Sequence, residues 1–322
     1  MIKLSFIVPI YNAEPYLERC IQTLYMQDLS EDDFEIIMVN DGSTDNSFDI
    51  AQKIANKHKN IKVFTQENQG SSVARNVALD NATGKFVSFV DSDDYLIPYT
   101  LKNVIEIAEK EQTEICSFKL MMQYSSYDKI GSDQKISKMS VMSGEDAIKQ
   151  GIKFWSVCCS IFSLEFLNRH NLRFKKGIIS QDSEFNMRAY PSAERVIFTD
   201  FTCYYYYNNT ISTTQSKDIN KVLKKLYSLV YIATSTKKVA SILESTFLKK
   251  NYIYRSNSII IGLLIVLVRN SYSISTEKRK EIFEEIKKNK LYPIKGGTLS
   301  WKSSLLLPIL NNEIIINKIL RI

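Results

Sequence analysis

Short apolar runs alternate with stretches of helical periodicity through the first hundred residues, the pattern of βαβ units that build a mainly parallel sheet. Leu4 to Ile10, Phe34 to Val39, Ile61 to Phe64 and Phe86 to Val90 predict buried strands. Leu17, Cys20, Ile21, Leu24 and Tyr25 recur at helical spacing between the first two, and Thr44 or Asp45 can cap the next helix. A further helix is predicted over Pro98 to Glu111 and a strand near Glu114 to Phe118. The polar stretch Ser125 to Lys138 reads as a loop or insertion. Beyond it come a helix near Glu145, an aromatic and apolar segment from Phe154 to Leu167, a polar loop before Asp182, and strand-like runs at Val196 to Phe198 and Tyr204 to Tyr207. From about residue 216 the pattern turns helical and lysine-rich, and no internal repeat is visible.

In a doubly wound sheet ligands bind at the carboxyl ends of the strands. The loops at those ends are Pro9-Ile10-Tyr11-Asn12, Asn40-Asp41-Gly42-Ser43, Gln66-Glu67-Asn68-Gln69-Gly70 and Asp91-Ser92-Asp93-Asp94. In an extended chain residues i and i+2 face the same way, so Asp91 and Asp93 can address one site. Hard cations such as Mg²⁺ or Mn²⁺ take oxygen ligands, often one or two carboxylates completed by substrate phosphate. An ordinary acidic turn is the alternative, since Asp and Ser both favour turns. Neither G-x-G-x-x-G after the first strand nor G-x-x-x-x-G-K-[ST] occurs, which disfavours a dehydrogenase or P-loop enzyme. With only His58 and His170 in the chain, histidine chemistry has little to work with.

Net charge of +7 hides an asymmetry: residues 1–100 carry 8 Lys and Arg against 15 Asp and Glu, whereas residues 201–322 carry 20 against 7. The basic C-terminal third, with the apolar segment Trp301 to Ile322, suits an anionic membrane surface or nucleic acid; a solvated helical face is the plainer reading. The five cysteines are odd in number and show no C-x-x-C pair, which argues against a disulfide framework or zinc site and fits a reducing, cytoplasmic setting. Leu4 to Val8 is too short for a signal peptide. Ile259 to Val268 is about half of the roughly 20 residues that span a bilayer, so an integral membrane protein is not expected.

Four motifs in order, Leu4-Ser5-Phe6-Ile7-Val8-Pro9-Ile10-Tyr11-Asn12, Val39-Asn40-Asp41-Gly42-Ser43-Thr44-Asp45, Asn68-Gln69-Gly70-Ser71-Ser72-Val73-Ala74-Arg75-Asn76 and Phe89-Val90-Asp91-Ser92-Asp93-Asp94, resemble those of family 2 inverting glycosyltransferases with a GT-A fold. The clear match covers residues 4 to about 100, and a looser one runs through Gln181-Asp182-Ser183-Glu184-Phe185 to Tyr204–Tyr207. The resemblance implies a nucleotide-sugar-binding half at 1–97 and an acceptor-binding and catalytic half at 98–215, and the change of pattern sets off a helical, basic region at 216–322. It implies that Pro9, Tyr11 and Asp41 surround the nucleoside, that Arg75 lies near the base or diphosphate, and that Asp91, Ser92 and Asp93 form the family's D-x-D. Asp93 is then the expected ligand of Mn²⁺ or Mg²⁺, with Asp91 reaching the ribose or a bridging water. Asp182 resembles the catalytic base of the family's E-D pair, with Gln181 in place of the glutamate and Glu184 as the fallback; a helix-capping role for Asp182 stays open. Trp155 is the candidate floor for an acceptor sugar, or else a core residue.

The implied activity is inverting transfer of a hexosyl or N-acetylhexosaminyl group from a nucleotide-diphosphate sugar, UDP ahead of GDP, to a saccharide or lipid-linked acceptor in cell-surface polysaccharide synthesis. The setting is cytoplasmic, with a peripheral membrane contact through the C-terminal region and no nucleic acid. A sugar-phosphate nucleotidyltransferase would be expected to carry a glycine-rich basic loop where Tyr11-Asn12-Ala13-Glu14 stands, and a non-catalytic basic module is opposed by the acidic N-terminal half.

Overall fold

The computed structural model describes residues 1–124, 127–130, 140–153, 156–207, 218–269 and 273–320. The chain divides into two compact units, residues 1–177 with 181–210, and residues 178–180 with 211–322.

In the first unit, β1 (Leu4–Ile10), β2 (Phe34–Asp41), β3 (Ile61–Gln66) and β4 (Phe86–Phe89) form the parallel part of a sheet ordered β3-β2-β1-β4. Every residue of β1 and β2 is buried, as expected of parallel strands covered on both faces. The connections carry α1 (Leu17–Tyr25), α2 (Ser47–Ala55) and α3 (Ser71–Asp80). Leu17, Cys20, Ile21 and Leu24 of α1 are buried, so the helical spacing in the sequence marks its core face. Pro9 has no N–H, and it follows by two residues Ile7, whose carbonyl takes the last ladder bond from Val90 (2.9 Å). The β1–β4 ladder therefore ends there, and the strands part beside the Asp91 loop.

Beyond β4 the sheet is mixed, and its order continues β4-β8-β6-β9-β5. The strands are β5 (Tyr95–Leu96), β6 (Ile115–Tyr124), β7 (Tyr127–Ile130), β8 (Ser160–Ser163) and β9 (Val196–Tyr206). The helices α4 (Leu101–Lys110), α5 (Gly144–Lys149), α6 (Leu164–Arg169) and α7 (Gln181–Ser192) belong to the same unit. β6 runs past Phe118 because it pairs in parallel with β9 and then turns back on β7, so part of the stretch that reads as a loop is a hairpin. Residues 125–126 and 131–139 of that stretch lie outside the described residues. Phe174 and Phe185 stack at 4.4 Å between ring centres, and Phe89 meets Phe174 edge-on at 5.1 Å. Burying each such ring contributes roughly 1.5–3 kcal/mol, and the cluster fixes the start of α7 against the end of β4.

The second unit is helical: α8 (Ile219–Ile242), α9 (Thr246–Arg269), α10 (Thr276–Lys288), α11 (Trp301–Ser304), α12 (Leu307–Leu310) and α13 (Glu313–Leu320). Asp218 and Ser275 cap α8 and α10 by accepting from the amides of Lys221 and Lys278. α9 has 24 residues and a mean hydropathy of 1.5 over its most apolar window, enough in length and composition to cross a bilayer. A core helix passes the same test, and α9 packs along α8 with Leu248, Ile260, Leu264 and Leu267 buried.

Candidate active site

The loops at the carboxyl ends of β1, β2 and β3 are stitched together before any ligand arrives. Asn12, in a left-handed turn (φ 49°), accepts from the Thr44 amide at 2.8 Å, and its own amide donates to Ser43 Oγ at 3.1 Å. Glu14 accepts from the amide and side chain of Asn46 at 3.0 and 2.8 Å. Asp41 is buried, and its carboxylate accepts from Gln66 Nε2 (2.7 Å), the Gln69 amide (2.8 Å) and the Gly70 amide (2.8 Å). Three of its four or so acceptor directions thus hold the β3 loop in place. Gly42 has φ 69°, and a Cβ there would lie 2.8 Å from the Asn68 amide nitrogen, so this crossing admits only glycine. Tyr11 stands exposed at the mouth.

Arg75 lies on α3 and is 2 % exposed. One terminal nitrogen donates to Asp91 Oδ1 at 2.6 Å and the other to Asp182 Oδ1 at 3.1 Å, while its guanidinium sits 5.1 Å above the Phe174 ring. Burial alone would lower the guanidinium pKa, but Asp91 and Asp182 outweigh it and raise it. Its Nε has no partner among the described residues. Asp182, in the first turn of α7, also accepts from Ser156 Oγ (2.5 Å) and the Val157 amide (3.3 Å) through Oδ2. One buried cation therefore gathers the first carboxylate of the D-x-D and the candidate base. Glu184 is buried on α7 and held by Arg188 Nε (2.9 Å) and its terminal nitrogen (2.7 Å), so the fallback base is committed to an ion pair.

The D-x-D loop is pinned from β9. Tyr204 donates from its hydroxyl to Asp94 Oδ2 at 2.6 Å and accepts from the Asp91 amide at 3.2 Å, and the Tyr207 amide donates to Asp94 Oδ1 at 2.8 Å. Burial, then the charges of Asp91 and Asp93, push the Asp94 carboxyl well above the usual range. Asp93 is raised to about 6 by burial and by Asp91. Arg19 donates to the Asp93 carbonyl at 3.2 Å from between the rings of Tyr95 (4.6 Å) and Tyr207 (4.5 Å). Ser92 is buried within this loop. The described cysteines are all reduced and buried.

Asp94, Tyr204, Ser156 and Arg19 carry this arrangement without having been singled out in the sequence. The nearest signal was the tyrosine run 204–207, which reads as a strand but does not reveal which ring reaches back to the loop. Trp155 lies outside the described residues. Among the described residues no group of three or more His, Cys, Asp or Glu is arranged to hold a metal alone. The all-oxygen pair Asp91 and Asp93 fits a hard divalent ion only when substrate oxygens complete its shell.

The model of glycosyl transferase family 2 matches residues 5–170. The glycosyltransferase EpsJ of Bacillus subtilis (strain 168) is 36 % identical over 217 residues, 66 % of this chain and 62 % of the relative. YibD, a glycosyltransferase of Escherichia coli (strain K12), is 30 % identical over 259 residues, 78 % of this chain and 72 % of the relative. The poly(ribitol-phosphate) beta-N-acetylglucosaminyltransferase TarS of Staphylococcus aureus (strain Mu50 / ATCC 700699) is 32 % identical over 209 residues, 64 % of this chain and 35 % of the relative. The chain thus spans less than two thirds of EpsJ and about a third of TarS. Among solved structures, S. aureus TarS 1–349 with UDP superposes with a TM-score of 0.70 at 23 % identity, covering 99 % of this chain and 89 % of that one. The mannosyltransferase PcManGT of Pyrobaculum calidifontis, in complex with GDP-Man and Mn²⁺, gives 0.55 at 16 % identity, covering 97 % and 87 %. These likenesses identify the fold as GT-A.

Proposed function

The chain belongs to glycosyl transferase family 2, and from that membership we propose that it moves a sugar from a nucleotide-diphosphate donor to an acceptor hydroxyl with inversion at the anomeric carbon. The observation that carries the reading is the Arg75 bridge, which puts Asp91 and Asp182 on one guanidinium at the carboxyl ends of the parallel strands. The nucleoside occupies the mouth formed by Pro9, Tyr11 and the Asp41 loop, where Asp41 has one acceptor direction left for a base N–H. The donor is a UDP-sugar and the acceptor a saccharide or lipid-linked saccharide of the cell surface, in keeping with the UDP complex and the named activity of TarS.

Asp182 is the general base. An acceptor hydroxyl is a poor nucleophile, and a carboxylate that takes its proton as the new bond forms contributes roughly 10²- to 10⁴-fold. The bonds from Arg75, Ser156 and Val157 fix the carboxylate's rotamer and leave an acceptor direction on Oδ1. Attack from the face opposite the leaving diphosphate inverts the configuration in a single displacement, so no covalent sugar intermediate is required. Asp93, with Asp91, would hold a divalent cation of the Mn²⁺ or Mg²⁺ class together with diphosphate oxygens. When bound, that ion supplies positive charge against the departing nucleoside diphosphate. Arg75 acts from beneath as a positioning residue, holding Asp91 and Asp182 in register.

Calorimetric titration with UDP and with GDP, in Mn²⁺ and then in chelator, tests the donor site in the native chain and in Asp93→Ala. Metal-dependent binding of UDP, lost in the variant, is expected. Failure of both nucleotides to bind sinks the assignment.

A further inference from the structure

The second unit carries an exposed apolar surface. The segment leading to it is tied down: Asn257 Nδ2 donates to the carbonyls of Lys295 (2.9 Å) and Gly297 (2.8 Å), and Ser258 Oγ accepts from the Leu299 amide (3.0 Å). Asn311 exchanges two 2.8 Å bonds with the backbone of Ile294. Between α11 and α12 the Leu305 amide donates to the Trp301 carbonyl and the Leu306 amide to that of Ser303, so the helical phase carries through. Trp301, Leu305 and Ile309 stand at i, i+4 and i+8 and are 70, 66 and 47 % exposed.

α13 has one broad apolar arc that is only partly buried. Ile316 and Leu320 turn into the core, while Ile315 and Ile319 face outward beside Ile314, which is 81 % exposed. Ile315 and Ile319 border the buried stripe, so the apolar arc of α13 is wider than the core covers and its edge stays open. α12 and α13 pack together, so the outward stripes lie on adjoining helices.

Charge decides what covers them. Lys295, Lys302 and Lys318 are exposed in the same stretch of chain, and the Lys302 ammonium lies 5.8 Å from the centre of the Trp301 ring. The single acidic residue between 291 and 320, Glu313, is bonded to Lys287 at 2.6 Å. Residues 201–322 carry 20 Lys and Arg against 7 Asp and Glu, so a second copy would bring like charge to this face. An anionic bilayer brings the opposite charge and an apolar layer, and tryptophan with lysine is the pair that settles at such a boundary.

We propose that this face docks peripherally on an anionic phospholipid bilayer, with Trp301, Leu305 and Ile309 entering the boundary between headgroups and acyl chains and the lysines meeting lipid phosphates. The proposal goes beyond the sugar-transfer reading and is measured without turnover, so its failure leaves that reading untouched.

The test is co-sedimentation of the full chain with vesicles of phosphatidylcholine alone or mixed with phosphatidylglycerol, for the native protein, Leu305→Glu/Ile309→Glu and Trp301→Ala. The expected result is binding to the anionic vesicles that weakens with salt, is about tenfold lower on neutral ones, and falls about tenfold or more in the double variant at unchanged thermal unfolding. Trp301→Ala, a truncation at an exposed site, is expected to fall in the same direction. Equal partition to neutral and anionic vesicles overturns the proposal, as does undiminished binding by folded variants. Concentration-dependent dimerisation abolished by the same substitutions, without vesicle binding, overturns it in favour of a second copy.

Discussion

Arg75 and Asp182 are 107 residues apart in sequence and bonded at 3.1 Å, and the same guanidinium holds Asp91 at 2.6 Å. Replacing Arg75 by a neutral residue would leave Asp91 and Asp182 without their buried counter-charge. Lysine, with one nitrogen in place of a fork, cannot serve both. Arg75→Lys is expected to lower unfolding free energy by about 3 kcal/mol and to remove most transfer activity. Denaturant unfolding with donor-turnover assays checks both, and a variant of native stability and rate would refute the bridge.

Ser156 donates to Asp182, the proposed base. Removing its hydroxyl gives up a bond to a charged carboxylate worth about 1.5–3 kcal/mol. Ser156→Ala is therefore expected to lower kcat by about tenfold or more, leave donor KM nearly unchanged, and be partly rescued by Thr. A purely structural hydroxyl would instead lower stability without that split between kcat and KM.

Tyr204 and Asp94 tie the D-x-D loop to β9 at 2.6 Å. Tyr204→Phe leaves buried Asp94 without its hydroxyl donor and frees the Asp91 amide, at an expected cost of about 2 kcal/mol. Because burial favours the neutral Asp94 carboxyl, Asp94→Asn is expected to be milder than Asp94→Ala. Thermal unfolding of the three variants gives the order.

Glu35 sets an acid limit on the fold. Burial would raise its carboxyl, but Lys62 first, then Ser5 and Thr83, outweigh that and hold it below the ordinary value. A depressed carboxylate stabilises the folded state fully above its unfolded pKa of about 4.3, and the contribution is lost as pH falls through the folded value. Glu35→Gln is expected to unfold more easily at neutral pH and to flatten the stability profile below about pH 4.3. Urea midpoints measured from pH 3 to 7 test the sign.

The sheet's parallel half was legible because β1, β2 and β4 are buried throughout and read as mainly apolar runs, with Ser5, Glu35 and Ser88 as the polar interruptions before the loop ends. Their loops followed, since a strand's carboxyl end locates a ligand crevice without further information. β5 was not legible, because two residues carry no periodicity and Tyr95–Leu96 is a strand only through β9. β6 continues past Phe118 into Lys119–Tyr124 for a similar reason, its partners being supplied from elsewhere in the chain. Asp91, Asp93 and Asp182 could be named from motif position. Their common dependence on Arg75 could not, because a guanidinium that bridges two distant segments leaves no local pattern. Ser156 and Tyr204 are of the same kind: their roles are fixed by what packs beside them.

We propose Asp182 as the base of an inverting sugar transfer. Its most direct test compares native protein and Asp182→Asn with a UDP-sugar that the native protein turns over, measuring donor affinity, turnover and the anomeric configuration of the product. Inverted product from the native chain is expected, with donor affinity within about threefold in the variant and turnover reduced by about 10³-fold. Retained configuration, or a variant that keeps turnover within about tenfold at unchanged affinity, would contradict it.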